Sequence, residues 1–273
     1  MIRQFYSPKT TEEALLLHRK KANSIYLGGG TEINRLDSSV DASSVISLQK
    51  LGLDAISHDE HGLHIGAMVT FTKALENESV PTWLKEALRF MGSETKRNMA
   101  TIGGNIALSS DDSYLLCTLL ASRCRITTAS LEEDGTYGEE NLPLREYEAF
   151  HDQYANCLIL EINLPDRERF VASRRFARTV ESHSAVVCAF GSEKGQLPQH
   201  VRMYAALKGS SIERFKESEN LLEAGSATRE DFHASLEKEC NAVDDFTGSA
   251  AYKRYLAEEA LWEMYQESLK EGV

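Results

Sequence analysis

Paired metal-binding cysteines are missing from this chain. Its five cysteines, Cys117, Cys124, Cys157, Cys188 and Cys240, form no Cys-x-x-Cys pair, and their spacings fit neither a zinc site nor an iron–sulfur cluster. Cys117, Cys157 and Cys188 lie in apolar runs, where buried free thiols are expected, which suits a reducing cytoplasm. Excess positive charge is missing too. Thirty Lys and Arg face 42 Asp and Glu, a formal charge of −12. Such a surface repels a phosphate backbone and anionic membranes, which argues against a nucleic-acid or membrane partner. It still permits one small anion held by aimed backbone N–H groups. No apolar run approaches the roughly 20 residues of a membrane span, and the opening MIRQFYSPKTTEEA has no apolar signal core. No internal repeat or low-complexity stretch occurs.

What is present suggests two domains within 273 residues, with an ordinary 42% apolar and 26% charged content. Thr10-Thr11-Glu12-Glu13 is a capping box that opens a helix. Ser24 to Leu27 and Val45 to Leu48 read as strands, and His61-Gly62 reads as a hairpin turn before Leu63 to Ala67. Pro81 to Met91 reads as a helix stopped by Gly92. Leu115 to Leu120 reads as a buried helix preceded by Asp111 and Asp112. Arg125 to Ala129 and Cys157 to Leu164 read as strands. Pro165-Asp166-Arg167 is the predicted domain boundary. Beyond it, Ala185 to Phe190 and Val201 to Leu207 read as strands. Ser210-Ser211-Ile212-Glu213 reads as a capping box for a helix ending at Gly225; Thr228 and Ser249 open two more helices.

Two glycine segments stand out: Leu27-Gly28-Gly29-Gly30-Thr31-Glu32 and Ala100-Thr101-Ile102-Gly103-Gly104-Asn105. Glycine tolerates positive φ and lacks a Cβ, so successive N–H groups can close on a ligand as an anion nest. Hydrogen bonds to a charged group contribute about 1.5–3 kcal/mol each, so two such turns suit a pyrophosphate. Neither is a Rossmann fingerprint, because Ile33 stands where the third glycine belongs, and no Gly-Lys-Ser or Gly-Lys-Thr completes a P-loop. The residues alone imply anion-binding loops and nothing more specific.

Taken in order, Gly29-Gly30-Thr31-Glu32, Ile65-Gly66-Ala67 and Arg97-Asn98-Met99-Ala100-Thr101-Ile102-Gly103-Gly104-Asn105 resemble the flavin subunits and domains of the xanthine dehydrogenase and carbon monoxide dehydrogenase family. Arg174-Arg175 and Ser249-Ala250-Ala251-Tyr252-Lys253-Arg254 extend the resemblance over nearly the whole chain. It implies an α+β fold: a two-subdomain clamp-type FAD-binding domain over 1–168 (subdomains about 1–55 and 56–168), then a C-terminal flavoprotein domain over 169–273 with a small antiparallel sheet plus helices. It implies FAD as cofactor, on Tyr26, Leu27, Gly28, Gly29, Gly30, Thr31, Glu32 and Ile33 and on Thr101, Ile102, Gly103, Gly104 and Asn105. Ile159 matches a position near the flavin, and Arg174 aligns with a basic contact. One departure matters: Tyr114 falls where the family carries a cofactor-contacting aspartate, with Asp111 or Asp112 as substitutes from nearby.

The resemblance further implies an electron-transfer oxidoreductase subunit with no catalytic acid or base of its own. Electrons would pass from iron–sulfur clusters on a partner through FAD to NAD or another acceptor. Its partners would be a molybdopterin-binding subunit and a 2Fe-2S subunit. Two alternatives stand beside this: a self-sufficient flavin reductase or oxidase, and a scaffold that has lost FAD. His58, His61 and His64 recur every third residue but read as a solvated hairpin, not a metal site. His183 between Ser182 and Ser184 lacks a Gly-x-Ser-x-Gly elbow.

Overall fold

The computed structural model describes residues 2–35, 38, 40–165, 169–180, 182–195 and 197–271. The boundary expected at Pro165-Asp166-Arg167 runs into residues 166–168, which lie outside the described ones. In chain order the strands are β1 (Gln4–Tyr6), β2 (Ser24–Leu27), β3 (Ser44–Ser47), β4 (Ile56–Asp59), β5 (Gly62–Gly66), β6 (Arg125–Leu131), β7 (Tyr137–Pro143), β8 (Leu158–Leu164), β9 (Arg169–Phe176), β10 (Val186–Glu193), β11 (Gln199–Leu207) and β12 (Ile212–Arg214). The helices are α1 (Thr11–Lys20), α2 (Phe71–Glu76), α3 (Thr82–Arg89), α4 (Glu94–Arg97), α5 (Ile102–Leu108), α6 (Tyr114–Ala121), α7 (Leu144–Ala149), α8 (Lys216–Glu223), α9 (Arg229–Glu239) and α10 (Ala250–Glu271). The fold is α+β.

The chain packs as two compact units. The first comprises Met1–Val80, Ser93–Leu108 and Cys124–Pro165. It holds a parallel sheet in the order β1-β3-β2 and an antiparallel sheet in the order β4-β5-β8-β6-β7. Helix α1 begins where the sequence demands: the Thr10 hydroxyl accepts from Glu13 N at 3.1 Å. The Glu13 carboxylate returns to Lys9 N at 2.8 Å, one residue earlier than a strict capping box places it. Ala14 and Leu15 on this helix are buried with Ile46, Leu48, Ala129 and Leu158, tying it to both sheets. Each such aliphatic side chain contributes about 1.5–3 kcal/mol.

The second unit comprises Pro81–Gly92, Ser109–Arg123 and Asp166–Val273. Its antiparallel sheet runs β12-β11-β10-β9. Neighbouring residues of a strand face opposite sides, and β10 shows it. The Cys188 thiol points to Ala257 O on α10, while the Cys117 thiol of α6 points to Val187 O. Every residue of α6 is buried, as its all-round apolar sequence requires. Gly191 lets the end of α6 come in closely, because a Cβ there would stand 2.2 Å from Ala121 O.

Three expectations are corrected. Residues 212–214 form strand β12, not the start of a helix. Ser210 Oγ bonds the Glu213 carboxylate, side chain to side chain, and α8 starts after Phe215 with no side-chain cap. The Thr101–Asn105 segment is not an open turn: α5 begins at Ile102 and contains both glycines. Cys157 is only half-buried, whereas Cys124 and Cys240, outside the obvious apolar runs, are buried.

Candidate functional site

The first glycine segment leaves the C-terminal end of β2. Leu27 O accepts from Leu48 N at 3.1 Å, closing the parallel ladder. Gly30 then adopts φ +71°, which only glycine does without strain. Asn34 fixes the turn: its N–H and its Nδ2 both donate to Gly30 O, at 3.1 and 2.9 Å. Among the described residues, no protein acceptor takes the N–H groups of Gly28, Gly29, Gly30 or Thr31. A row of main-chain donors with its own carbonyl tied back is the arrangement an anion nest requires. The Glu32 carboxylate pairs with Arg35 at 3.1 Å, which offsets the negative charge beside that row. Ile33 is half-buried.

The second segment lies directly against the first. A Cβ on Gly29 would fall 1.6 Å from Met99 O, and one on Gly28 would fall 2.9 Å from Thr101 Oγ1. These two glycines therefore permit contact between the segments. The expectation that the second segment offers its own amide nest is corrected. Ile102 N–H donates to Val69 O, Gly103 N–H to Ala67 O and Asn105 N–H to Thr101 O, at 2.9–3.0 Å, while Gly104 N–H donates to Thr101 Oγ1 at 3.2 Å. Gly103 is needed for packing, since a Cβ would stand 2.6 Å from the Ala67 Cβ. Gly104 is exposed and Asn105 half-exposed, so this segment presents surface in place of main-chain donors.

The remaining expected site residues divide. Tyr26 turns its ring inward, 4.5 Å from the His18 ring and against the unit core. Burial, with the nearby Cys157 thiol, pushes the phenol pKa up, and its buried hydroxyl has no partner among the described residues. Ile159 is buried on β8, opposite Thr128. In the second unit, Asp111 is fully engaged: one oxygen accepts from Lys208 Nζ at 2.9 Å, the other from Gly209 N at 3.2 Å. Arg174 lies on the α10 face of β9, bonded to Glu267 at 2.5 Å.

Neighbouring Arg175 takes the opposite face, the one on which Ser173 meets Tyr114. The Tyr114 hydroxyl donates to Ser173 O at 3.4 Å and accepts from Ser173 Oγ at 3.3 Å; burial raises its pKa, and the bond from the Ser173 hydroxyl opposes the shift. Arg175 holds Ser184 Oγ at 2.9 Å and the carbonyls of Ser182 and Thr179. It lines a cavity of about 380 Å³ with Arg178, His183, Phe246 and Tyr252. His183 is hydrogen-bonded to Asp112 at 2.6 Å. Burial works against ionisation of Asp112, but bonds from Ser110 and His183 and the Lys208 charge outweigh it and hold its pKa below the ordinary value.

No group of three or more His, Cys, Asp or Glu capable of holding a metal occurs among the described residues. His64 is instead bonded to Asp59 at 3.0 Å and to Asn163 at 2.6 Å. No helix among them is long and apolar enough to cross a membrane.

Comparison with known proteins bears on this geometry. The family described as "FAD binding domain in molybdopterin dehydrogenase" matches residues 1–167. The chain is 31% identical over its whole length to the uncharacterized protein YgfM of Escherichia coli K12, covering 98% of that protein. It is 28% identical, over 85% of its length and 83% of the relative's, to the nicotinate dehydrogenase FAD-subunit of Eubacterium barkeri. Its fold matches a chain of carbon monoxide dehydrogenase from Oligotropha carboxidovorans, with a TM-score of 0.84 at 17% identity over 98% of both chains. It also matches a chain of quinoline 2-oxidoreductase from Pseudomonas putida 86, with a TM-score of 0.83 at 17% identity over 100% and 98%. At these identities the two structural likenesses concern the fold.

Proposed function

Because the chain belongs to the family of FAD binding domains in molybdopterin dehydrogenases, we propose that it is the electron-transfer flavin subunit of a molybdenum hydroxylase. FAD is its cofactor. The observation that carries this reading is the row of unclaimed N–H groups from Gly28 to Thr31. These donors suit the FAD pyrophosphate, with Leu27, Glu32 and Ile33 flanking them. Thr101 to Asn105 supply the adjoining wall. Tyr26 contributes backbone and position, because its ring is committed to the core. Ile159 supplies an apolar surface. Asp111 is a contact only if it leaves Lys208 and Gly209. The family match over 1–167 supports a FAD-binding domain over 1–168, and a C-terminal flavoprotein domain over 169–273 goes with that reading, while Pro81–Gly92 and Ser109–Arg123 pack with the second unit.

When bound, FAD supplies the redox chemistry; the protein binds and orients it. The cysteine spacings do not suit iron–sulfur ligation, and no group of three or more metal-capable side chains occurs among the described residues. In this reading electrons would come from a 2Fe-2S subunit that serves a molybdopterin-binding subunit and would pass to NAD or another acceptor. The FAD-subunit name of the Eubacterium barkeri relative supports this division of labour.

The test is an FAD titration of the purified chain and its Gly104→Val variant, read by flavin absorbance with circular dichroism as the control for folding. The expected result is about one flavin per chain at micromolar concentration, with binding greatly weakened in the variant. Absence of binding by the unaltered chain favours the scaffold reading, which the burial of Tyr114 and the engagement of Asp111 motivate. Unchanged affinity in the variant overturns the site.

A further inference from the structure

We propose that the first unit carries a second anion site, at the end of β2 remote from the glycine turn, for a small carboxylate or phosphate ligand. A cavity of about 510 Å³ opens there, walled by the last turn of α1, the α1–β2 connection and the end of β6. That volume falls within the range of about 300–1,000 Å³ common for small-ligand pockets. Its wall carries Arg19, Lys21, Asn23, Ser24, Asn156 and the ring of His18, and no carboxylate.

No carboxylate of the wall pairs with its two cations. Arg19 is pinned by two carbonyls of the β6–β7 turn, Glu132 O at 3.0 Å and Glu133 O at 3.4 Å. Both partners are neutral, and they occupy two of the five guanidinium N–H donors. Lys21 Nζ stands 5.2 Å from the Tyr6 ring centroid. Among the described residues neither cation has a carboxylate within salt-bridge distance; the exposed Asp134 feels Arg19 only through space. A chain with 42 acidic residues has the means to neutralise a surface cation pair, and here it does not. The C-terminal end of α1 presents about half a negative charge, which two full positive charges exceed, so the cavity stays positive.

The rest of the wall suits an oxyanion with a small body. His18 is held towards its neutral form by burial, which outweighs its hydrogen bond with Asn156. Its Nδ1 lies 2.9 Å from Ser24 Oγ, so the ring positions a hydroxyl and adds no charge. Asn23, at φ +56°, turns the chain at the mouth, and Leu15 and Leu131 supply the apolar floor. Charge for the anionic group, amides for orientation and aliphatic surface for a body form the usual division of a small-ligand pocket.

The site is tested on the full, FAD-supplemented chain by amide nuclear magnetic resonance, titrating inorganic phosphate and, separately, acetate at constant ionic strength. Saturable shifts at Asn23, Ser24 and Asn156 in the millimolar range are expected. They should weaken at least about tenfold in Arg19→Ala/Lys21→Ala and persist in Lys20→Ala. The stronger anion identifies the ligand group. No saturable shift with either anion up to about 50 mM, a binding free energy weaker than about 2 kcal/mol, overturns the proposal, as does equal affinity in the double variant. Flavin occupancy, read at the same time, should be the same in all three proteins, which separates this site from the cofactor reading.

Discussion

Gly29 is the residue on which the two glycine segments depend. Its missing Cβ leaves Met99 O where a methyl group would otherwise sit, at 1.6 Å. Gly29→Ala must push the segments apart, and backbone cannot yield as a side-chain tip does. The expected outcome is loss of most FAD binding together with a fall in stability of about 1–3 kcal/mol, the usual cost of overpacking, read by flavin stoichiometry and urea unfolding. Unaltered stoichiometry would show that the contact is dispensable. Asp112 makes a prediction of a different kind. Its folded pKa lies below the ordinary 3.8, because Ser110, His183 and Lys208 outweigh the burial that opposes ionisation. The stability it contributes is therefore full above about pH 3.8 and is lost as pH falls from there through the folded value. Asp112→Asn should flatten that part of the acid limb of a thermal-unfolding series. An unchanged acid limb would mean that the pair with His183 contributes nothing.

At the scale of elements, α10 is held at its start by Lys253, which is fully buried. Its ammonium donates to Lys208 O at 2.7 Å and Val243 O at 3.0 Å and pairs with Asp245 at 2.9 Å. Burial opposes ionisation of Asp245, but Lys253 and Thr247 keep its pKa at about 2. Lys253→Met should cost about 3–5 kcal/mol, because it strands a charge and two carbonyls, and Asp245→Asn in that background should recover part of the loss. A loss no larger than that of an exposed lysine would refute the staple. The sequence showed three helix starts where one side chain closes on one amide, at Thr10, Thr228 and Ser249, but not the equivalent caps at Thr70, Ser93 and Ser113. It misled at Ser210 to Glu213, where the same pattern precedes strand β12, because pairing of Ile212 with Ala206 on β11 overrides a local cap. Both glycine segments were legible as such, and their adjacency supports reading them together. What was not legible is which amides remain open, since Ala67 and Val69 lie more than thirty residues before the second segment in the chain and take two of its donors.

At the scale of the whole molecule, the question is whether the chain works alone. It belongs to a family of FAD-binding domains, it holds no metal-capable cluster among its described residues, and its buried thiols are poor thiolates. On the proposed reading, the relay between an organic substrate and the flavin belongs to a partner subunit. The chain's acidic character, 42 acidic against 30 basic residues, makes steering by oppositely charged surfaces sensitive to salt. The isolated, FAD-loaded protein is thus expected to be reducible by dithionite yet to show no steady-state oxidation of nicotinate, quinoline or NAD(P)H. Addition of molybdopterin-binding and 2Fe-2S subunits from the same source should restore flavin reduction by an organic substrate. Steady turnover by the isolated chain would establish the self-sufficient flavin reductase or oxidase in its place, with the same glycine segments holding the cofactor.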